Sequence, residues 1–203
     1  MINIFIATIP QPFDIQGAAE SFKNSFCGEQ NAEYLQNILK KSSEAARSQS
    51  LCALLLLASG LSHLQISTDG LVLAKSQTGK PFFENSDNLR FSISHDESCV
   101  AVAISDTPIG IDIQSQAKNQ EKIAKRFFAP LEYEKILNGD EDFLTLWTKK
   151  EALTKLLDSD FASCAKIPLP NDVFFHTFAY GSALVSSASK QNIIPKIIKI
   201  DQF

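Results

Sequence analysis

Cysteine and histidine are too scarce and too scattered in this chain for a metal-knuckle or disulfide framework. The four cysteines, Cys27, Cys52, Cys99 and Cys164, form no C-x-x-C pair, and only three histidines accompany them. That spacing fits reduced structural thiols of a cytoplasmic protein and argues against zinc ligation. Long apolar runs are missing as well: no segment reaches the roughly 18 apolar residues of a bilayer span, so no membrane association is expected. The start, Met1-Ile2-Asn3-Ile4-Phe5-Ile6-Ala7, has no basic residues before its apolar run and reads as a strand, not a signal peptide. Positive charge is also short. The 19 Lys and Arg face 23 Asp and Glu, a net charge of −4, which argues against general nucleic-acid binding.

What is present describes an ordinary globular protein. The 203 residues are 44% hydrophobic and 21% charged, enough for one large domain or two small ones. A loop follows Pro10 and Pro12. Residues 31–59 read as one helix ending in the apolar run Leu51 to Ala58 before Gly60. Short strands are expected at 63–67 and 71–75, then a loop through Gly79-Lys80-Pro81. Strands at 90–95, 99–105 and 109–114 are separated by polar turns. Helices are expected at 118–127, 130–137 and 140–157, and strands at 172–178, 182–188 and 193–200. Pro195 places the last strand at an edge. Divided into 1–105 and 106–203, each half runs strand, helix, antiparallel strands. The fold class is α+β.

Asp112 is the first residue to carry chemistry. It sits in Gly110-Ile111-Asp112-Ile113-Gln114, where the isoleucines share one strand face and Gly110, Asp112 and Gln114 the other. Gly110 leaves room for close approach by a ligand or another segment. A half-buried strand with a polar outer face would look the same. On the helix containing Trp147-Thr148-Lys149-Lys150-Glu151-Ala152-Leu153-Thr154-Lys155, projection puts Phe143, Leu146, Trp147, Leu153 and Leu157 on one arc, with Lys150 inside it. Glu151 and Lys155 lie on its flank. By spacing alone they are an exposed ion pair contributing about 0.3–0.5 kcal/mol. Lys150 must find a partner or snorkel out, and suggests a charge cluster at that helix edge. The bland alternatives for His95, Gly79-Lys80-Pro81, Arg47 and the face Lys118, Lys122, Lys125 and Arg126 are surface hydrogen bonds, loop and solvated charge. Phe127-Phe128 reads as core.

The order of four motifs changes the weighting. Gly79-Lys80-Pro81, Phe91-Ser92-Ile93-Ser94-His95, Gly110-Ile111-Asp112-Ile113 and Trp147-x-x-Lys150-Glu151-Ala152-x-x-Lys155 together resemble the 4′-phosphopantetheinyl transferases of the monomeric Sfp type. The resemblance implies transfer of phosphopantetheine from coenzyme A to a serine of an apo acyl or peptidyl carrier protein, releasing adenosine 3′,5′-bisphosphate. It implies a pseudo-twofold arrangement of two similar α+β halves with coenzyme A between them. By the same resemblance, Asp112 and Glu151 hold Mg²⁺ and Lys155 contacts phosphate. Lys80, Pro81, Ser94 and His95 line the nucleotide pocket, and Arg47 stands near the 3′-phosphate. Glu151, directly or through a metal-bound water, is the candidate base for the serine.

Three departures accompany the resemblance. Gln114 stands where many relatives carry an acid able to ligate the metal, so water would complete the site, with Gln114 ligating through it. Asp96 replaces a Ser or Thr and adds negative charge near a phosphate site. The glycines that often follow the lysine are missing from Lys155-Leu156-Leu157-Asp158-Ser159-Asp160. Two rival functions use the same residues: a Mg²⁺-dependent nucleotide phosphohydrolase, and a non-catalytic module binding coenzyme A or a carrier.

Overall fold

Strand alternation at the start of the chain sets the layout. The computed structural model describes residues 1–116 and 119–201. In chain order its elements are β1 (Ile2–Thr8), α1 (Ile15–Ser25), α2 (Glu29–Leu39), α3 (Glu44–His63), β2 (Leu73–Lys75), β3 (Pro81–Phe83), β4 (Arg90–His95), β5 (Cys99–Ser105) and β6 (Ile109–Gln114). There follow α4 (Gln120–Phe127), α5 (Pro130–Asn138), α6 (Phe143–Leu157), α7 (Phe161–Ala165), β7 (Phe174–Tyr180), β8 (Ala183–Ser189) and β9 (Lys196–Lys199). The chain is α+β, as expected.

Successive residues of a strand point to opposite faces, and β1 buries both. Phe5 and Ala7 join a core with α1, α2 and α3, while Ile2, Ile4 and Ile6 join one with Ile109, Ile111, Ile113 and Val185. β5 divides the same way, Val100, Val102 and Ile104 to the helices and Cys99, Ala101 and Ala103 to the other core. Each Ile or Phe so buried contributes about 1.5–3 kcal/mol. One sheet, ordered β4-β5-β1-β9, therefore lies between a helical layer and a second sheet, ordered β6-β8-β7. Beyond that second sheet, α6 packs with Ala152, Leu153 and Leu156 against Ala188.

Both sheets repeat one plan. The first strand of each set, β1 or β6, pairs antiparallel with the second strand of a later hairpin, β4-β5 or β7-β8. β9 then returns to pair parallel with β1 at the sheet edge, starting just after Pro195.

Several expectations need correcting. Residues 31–59 are not one helix: α2 ends at Leu39, and Ser43 starts α3 by accepting from the Ala46 amide at 3.1 Å. No strand forms at 63–67, because α3 runs to His63 and Gln65 turns left-handed (φ 58°), letting Ile66 N close onto Leu61 O at 2.9 Å. The stretch after the N-terminal prolines contains α1, capped by Asp14, whose carboxylate accepts from Gln16 and Gly17. Within the described residues the helix expected over 118–127 starts at Gln120; Lys118 lies outside them. Leu157, placed on the buried arc, is exposed, since α6 packs its other sides against β6, β8 and α7.

Candidate active site

Gly110 is what lets α6 lie directly on β6. A Cβ built there would stand 1.9 Å from the carbonyl oxygen of Ala152 and 2.6 Å from the amide nitrogen of Leu156. Asp112 lies two residues along the same face, opposite the last turns of α6. Glu151 and Lys155 are half-buried. Lys155 pairs across to β6, as a shared site requires, instead of forming the surface pair that spacing alone suggests. Lys155 Nζ donates to Asp112 Oδ1 at 2.8 Å and to Ser94 Oγ at 2.8 Å. Ser94 Oγ in turn donates to Asp112 Oδ1 at 2.7 Å and accepts from the Ile113 amide at 3.2 Å. Ser92 Oγ accepts from the Ile111 amide at 3.1 Å. Two serine hydroxyls on β4 thus satisfy the free edge of β6 and join the two sheets. The unusual serines of Phe91-Ser92-Ile93-Ser94 are thereby explained.

Asp112 is 5% exposed, and its second oxygen, Oδ2, is buried without a hydrogen-bond partner. A buried carboxylate oxygen left unpaired is costly. Glu151 lines the same cavity. Burial first, then the charge of Asp112, pushes its carboxyl up to about 7 against the opposing pull of Lys155. Lys155 is the ammonium in direct contact with Asp112.

The cavity holds about 370 Å³ and takes its walls from both sheets. Gly79, Pro81, Ser94, His95, Asp112, Gln114, Glu151 and Lys155 all border it, so the ordered motifs meet in space. The same cavity carries two ammonium groups that sequence reasoning missed. Lys41 and Lys75 both line it, with Lys41 Nζ donating to Ser50 Oγ at 2.6 Å and Lys75 Nζ 5.4 Å from the Tyr34 ring centroid. Partial burial and the neighbouring Lys75 lower the Lys41 pKa. No periodic pattern marks these lysines; only the fold of α2, α3 and β2 brings them together. His95 is exposed at the mouth. Desolvation of its ring lowers its pKa, followed by the charges of Lys155 and Lys41, with Asp112 opposing. The Gln114 amide nitrogen donates to the Gln116 carbonyl at 2.7 Å.

Other singled-out residues lie elsewhere. The Lys80 amine turns behind the cavity to the carbonyls of Ile109 and Lys155, although its neighbours Gly79 and Pro81 stay in the wall. Its pKa is lowered chiefly by burial. The Arg47 guanidinium donates to the Lys41 carbonyl at 2.7 Å and does not border the cavity; it steadies the backbone that carries Lys41. Lys150 is fully buried, paired with Glu132 of α5 at 2.7 Å and donating to the Ile167 carbonyl at 2.6 Å. It ties helices together and is no part of a charge cluster at the site. Asp96 turns its carboxylate into its own turn, accepting from the amides of Ser98 and Cys99 at 2.9 and 3.0 Å, so it adds no charge to the cavity wall. Phe128 packs in a core with Phe143 and Leu146, as expected, while Lys122, Lys125 and Arg126 are exposed on α4.

Among the described residues no group of three or more His, Cys, Asp and Glu is arranged to hold a metal. Mg²⁺ needs less: one or two carboxylates, with water and phosphate oxygens supplying the rest. The orphaned Oδ2 of Asp112 and the mutual repulsion with Glu151 fit such an ion.

Comparison with known proteins converges on the same segment. Residues 108–190, which contain β6, α6 and β8, match the family model of the 4′-phosphopantetheinyl transferase superfamily. The 4′-phosphopantetheinyl transferase gsp of Aneurinibacillus migulanus is 36% identical over 99 residues, 46% of this chain and 41% of the relative. The 4′-phosphopantetheinyl transferase Sfp of Bacillus subtilis (strain 168) is 34% identical over 96 residues, 45% of this chain and 43% of the relative. A yeast protein of Candida glabrata, the L-aminoadipate-semialdehyde dehydrogenase-phosphopantetheinyl transferase, is 28% identical over 138 residues, 62% of this chain and 53% of the relative. The chain thus matches about two fifths of the length of the two bacterial relatives.

Proposed function

We propose that this protein transfers 4′-phosphopantetheine from coenzyme A to a serine of an apo acyl or peptidyl carrier protein. The observation that carries the reading is the convergence of Asp112, Glu151 and Lys155 on one cavity that Lys41 and Lys75 also border. A ligand that suits these ammonium groups carries more than one phosphate. Coenzyme A has that form.

In the proposed reaction the carrier serine Oγ attacks the pyrophosphate phosphorus that bears pantetheine. An O–P bond forms, the bond to the bridging oxygen breaks, and its electron pair leaves on adenosine 3′,5′-bisphosphate. Glu151 accepts the serine proton, and a carboxyl near 7 is matched to that task at neutral pH. Lys155 holds the phosphate oxygens and stabilises charge on the leaving group. Asp112 fixes the Lys155 ammonium in place and, with Glu151, would hold Mg²⁺, with Gln114 beside it through water. When bound, that ion would neutralise the pyrophosphate. Ser94 orients Asp112, while His95 and Pro81 border the nucleotide. Lys41 and Lys75 would receive the remote phosphate in place of Arg47.

The same reading makes 1–105 and 106–203 two halves of a pseudo-twofold fold, supported by the matching orders β4-β5-β1 and β7-β8-β6. It also has the protein act as a cytoplasmic monomer. Among the described residues no helix is long and apolar enough to cross a membrane. Lys122, Lys125 and Arg126 on α4 offer an acidic carrier a steering surface. The test is to incubate the protein with coenzyme A, Mg²⁺ and a panel of apo carriers, then weigh the carriers. A gain of one phosphopantetheine is expected. Coenzyme A cleavage without a carrier, or binding without turnover, would overturn the reading.

A further inference from the structure

The geometry points to Asp158 as a positioning residue that clamps the cavity wall at Gly79–Pro81 onto the end of α6. Two independent features single it out. Its backbone is left-handed (φ 51°, ψ 51°), a region that non-glycine residues enter at a cost. Only Gln65 and Asn119 share a positive φ among the described non-glycine residues. Its carboxylate also accepts from two hydroxyls some 80 residues away, Ser76 Oγ at 2.8 Å and Thr78 Oγ1. A conformation that glycine would fill without strain is thus held by a residue whose carboxylate reaches across the molecule.

The two hydroxyls belong to a tight loop. Ser76 N donates to Lys80 O at 2.9 Å and Gly79 N to Ser76 O at 3.0 Å, while Ser76 Oγ accepts from the Lys80 amide at 3.2 Å. Gly79 is itself left-handed at φ 89°. From this loop the Lys80 ammonium reaches the Lys155 carbonyl, one turn before Asp158. Loop 76–80 is therefore fastened to the C-terminal turn of α6 at two points. The next residues, Gly79 and Pro81, border the cavity. The Asp112–Lys155 side-chain pair is held by β6, β4 and α6, with no bond to Asp158 or its two hydroxyl partners. The clamp consequently governs how well the cavity receives its ligand, and leaves the reacting groups in place.

The ligand part of this inference rests on the proposed coenzyme A reading, so one readout is independent of it. Asp158→Gly removes the carboxylate while keeping the backbone at ease, and Asp158→Asn retains an oxygen acceptor. In Asp158→Gly, amide hydrogen exchange over 76–80 should rise while that of β6 and α6 stays as in the wild type, and Asp158→Asn should restore protection. In the transfer assay KM for coenzyme A should rise about fivefold with kcat within about twofold, the scale of one or two water-exposed hydrogen bonds. Unchanged exchange in 76–80, or a fall in kcat with KM fixed, overturns the clamp. If the wild type itself neither binds nor turns over coenzyme A, the proposed function fails, and the exchange result alone decides whether the loop is clamped.

Discussion

Lys155 Nζ and Asp112 Oδ1 lie 2.8 Å apart, joining the last turn of α6 to the middle of β6 with Ser94 bridging both. The lysine is the only charge partner Asp112 has among the described residues. Removing it leaves a buried carboxylate with little compensation. Lys155→Ala should destabilise the fold by about 2–4 kcal/mol and abolish transfer. Asp112→Asn keeps the shape and should cost far less stability, while transfer falls by at least about a hundredfold. Urea midpoints and carrier mass together separate the two effects. Wild-type turnover in Asp112→Asn would remove Asp112 from the site.

Lys150 and Glu132 test whether the second buried pair is structural. Glu132 also accepts from the amides of Ala129 and Leu169, so its carboxylate anchors the start of α5 as well as Lys150. Lys150→Met should cost about 3–5 kcal/mol, because it strands that carboxylate. Adding Glu132→Gln should recover part of the loss, since the amide oxygen still accepts from backbone. The KM for coenzyme A should stay unchanged wherever the protein is folded. A Lys150→Met variant that keeps its urea midpoint would contradict the pairing.

His95 gives the pH dependence. Its pKa is lowered from the ordinary 6.5, so the folded protein binds this proton less tightly than the unfolded chain. Its contribution to stability is therefore complete above 6.5 and is lost as pH falls below that value. Binding runs the other way. An anionic phosphate favours the charged imidazole, so coenzyme A affinity should tighten as pH drops from 8 towards 6. Glu151, near 7, also titrates over this range. The readout is thus the difference between wild type and His95→Asn in calorimetric titrations. Parallel pH profiles for the two proteins would remove His95 from the phosphate contacts.

How legible the site was follows from where each signal resides. Asp112 and Glu151 lie on single elements with clear periods, and those elements formed as expected. Their meeting depends on Gly110, whose role as a close approach was readable. Lys150 misled because an amine in an apolar stripe announces a partner without saying which: Glu132 lies 18 positions upstream, in a helix with no pattern pointing at it. Lys41 and Lys75 were invisible for a similar reason, since only tertiary contact makes them neighbours. The N-terminal helices carry start signals of their own. Asp14 and Ser43 are ordinary cap residues, but the apolar run of α3 masks the second and makes 31–59 read as one element.

Gly110 carries the most demanding prediction about the fold. A methyl group there would meet the Ala152 carbonyl oxygen at 1.9 Å and the Leu156 amide nitrogen at 2.6 Å, both backbone atoms of a helix that cannot bend locally without breaking its own hydrogen bonds. Gly60 offers an internal comparison, because its added Cβ would meet only side chains, Phe5 Cδ2 at 2.8 Å and Ile104 Cδ1 at 3.0 Å. Those can rotate away. Gly60→Ala should therefore cost about 1–2 kcal/mol, whereas Gly110→Ala should cost more than about 3 kcal/mol. Any folded Gly110→Ala protein must move α6 off β6, which separates Lys155 from Asp112. Transfer should then be lost even at temperatures where the variant is folded, while Gly60→Ala keeps its rate. Equal urea midpoints for the two variants would mean that α6 does not rest on β6 as closely as this geometry requires.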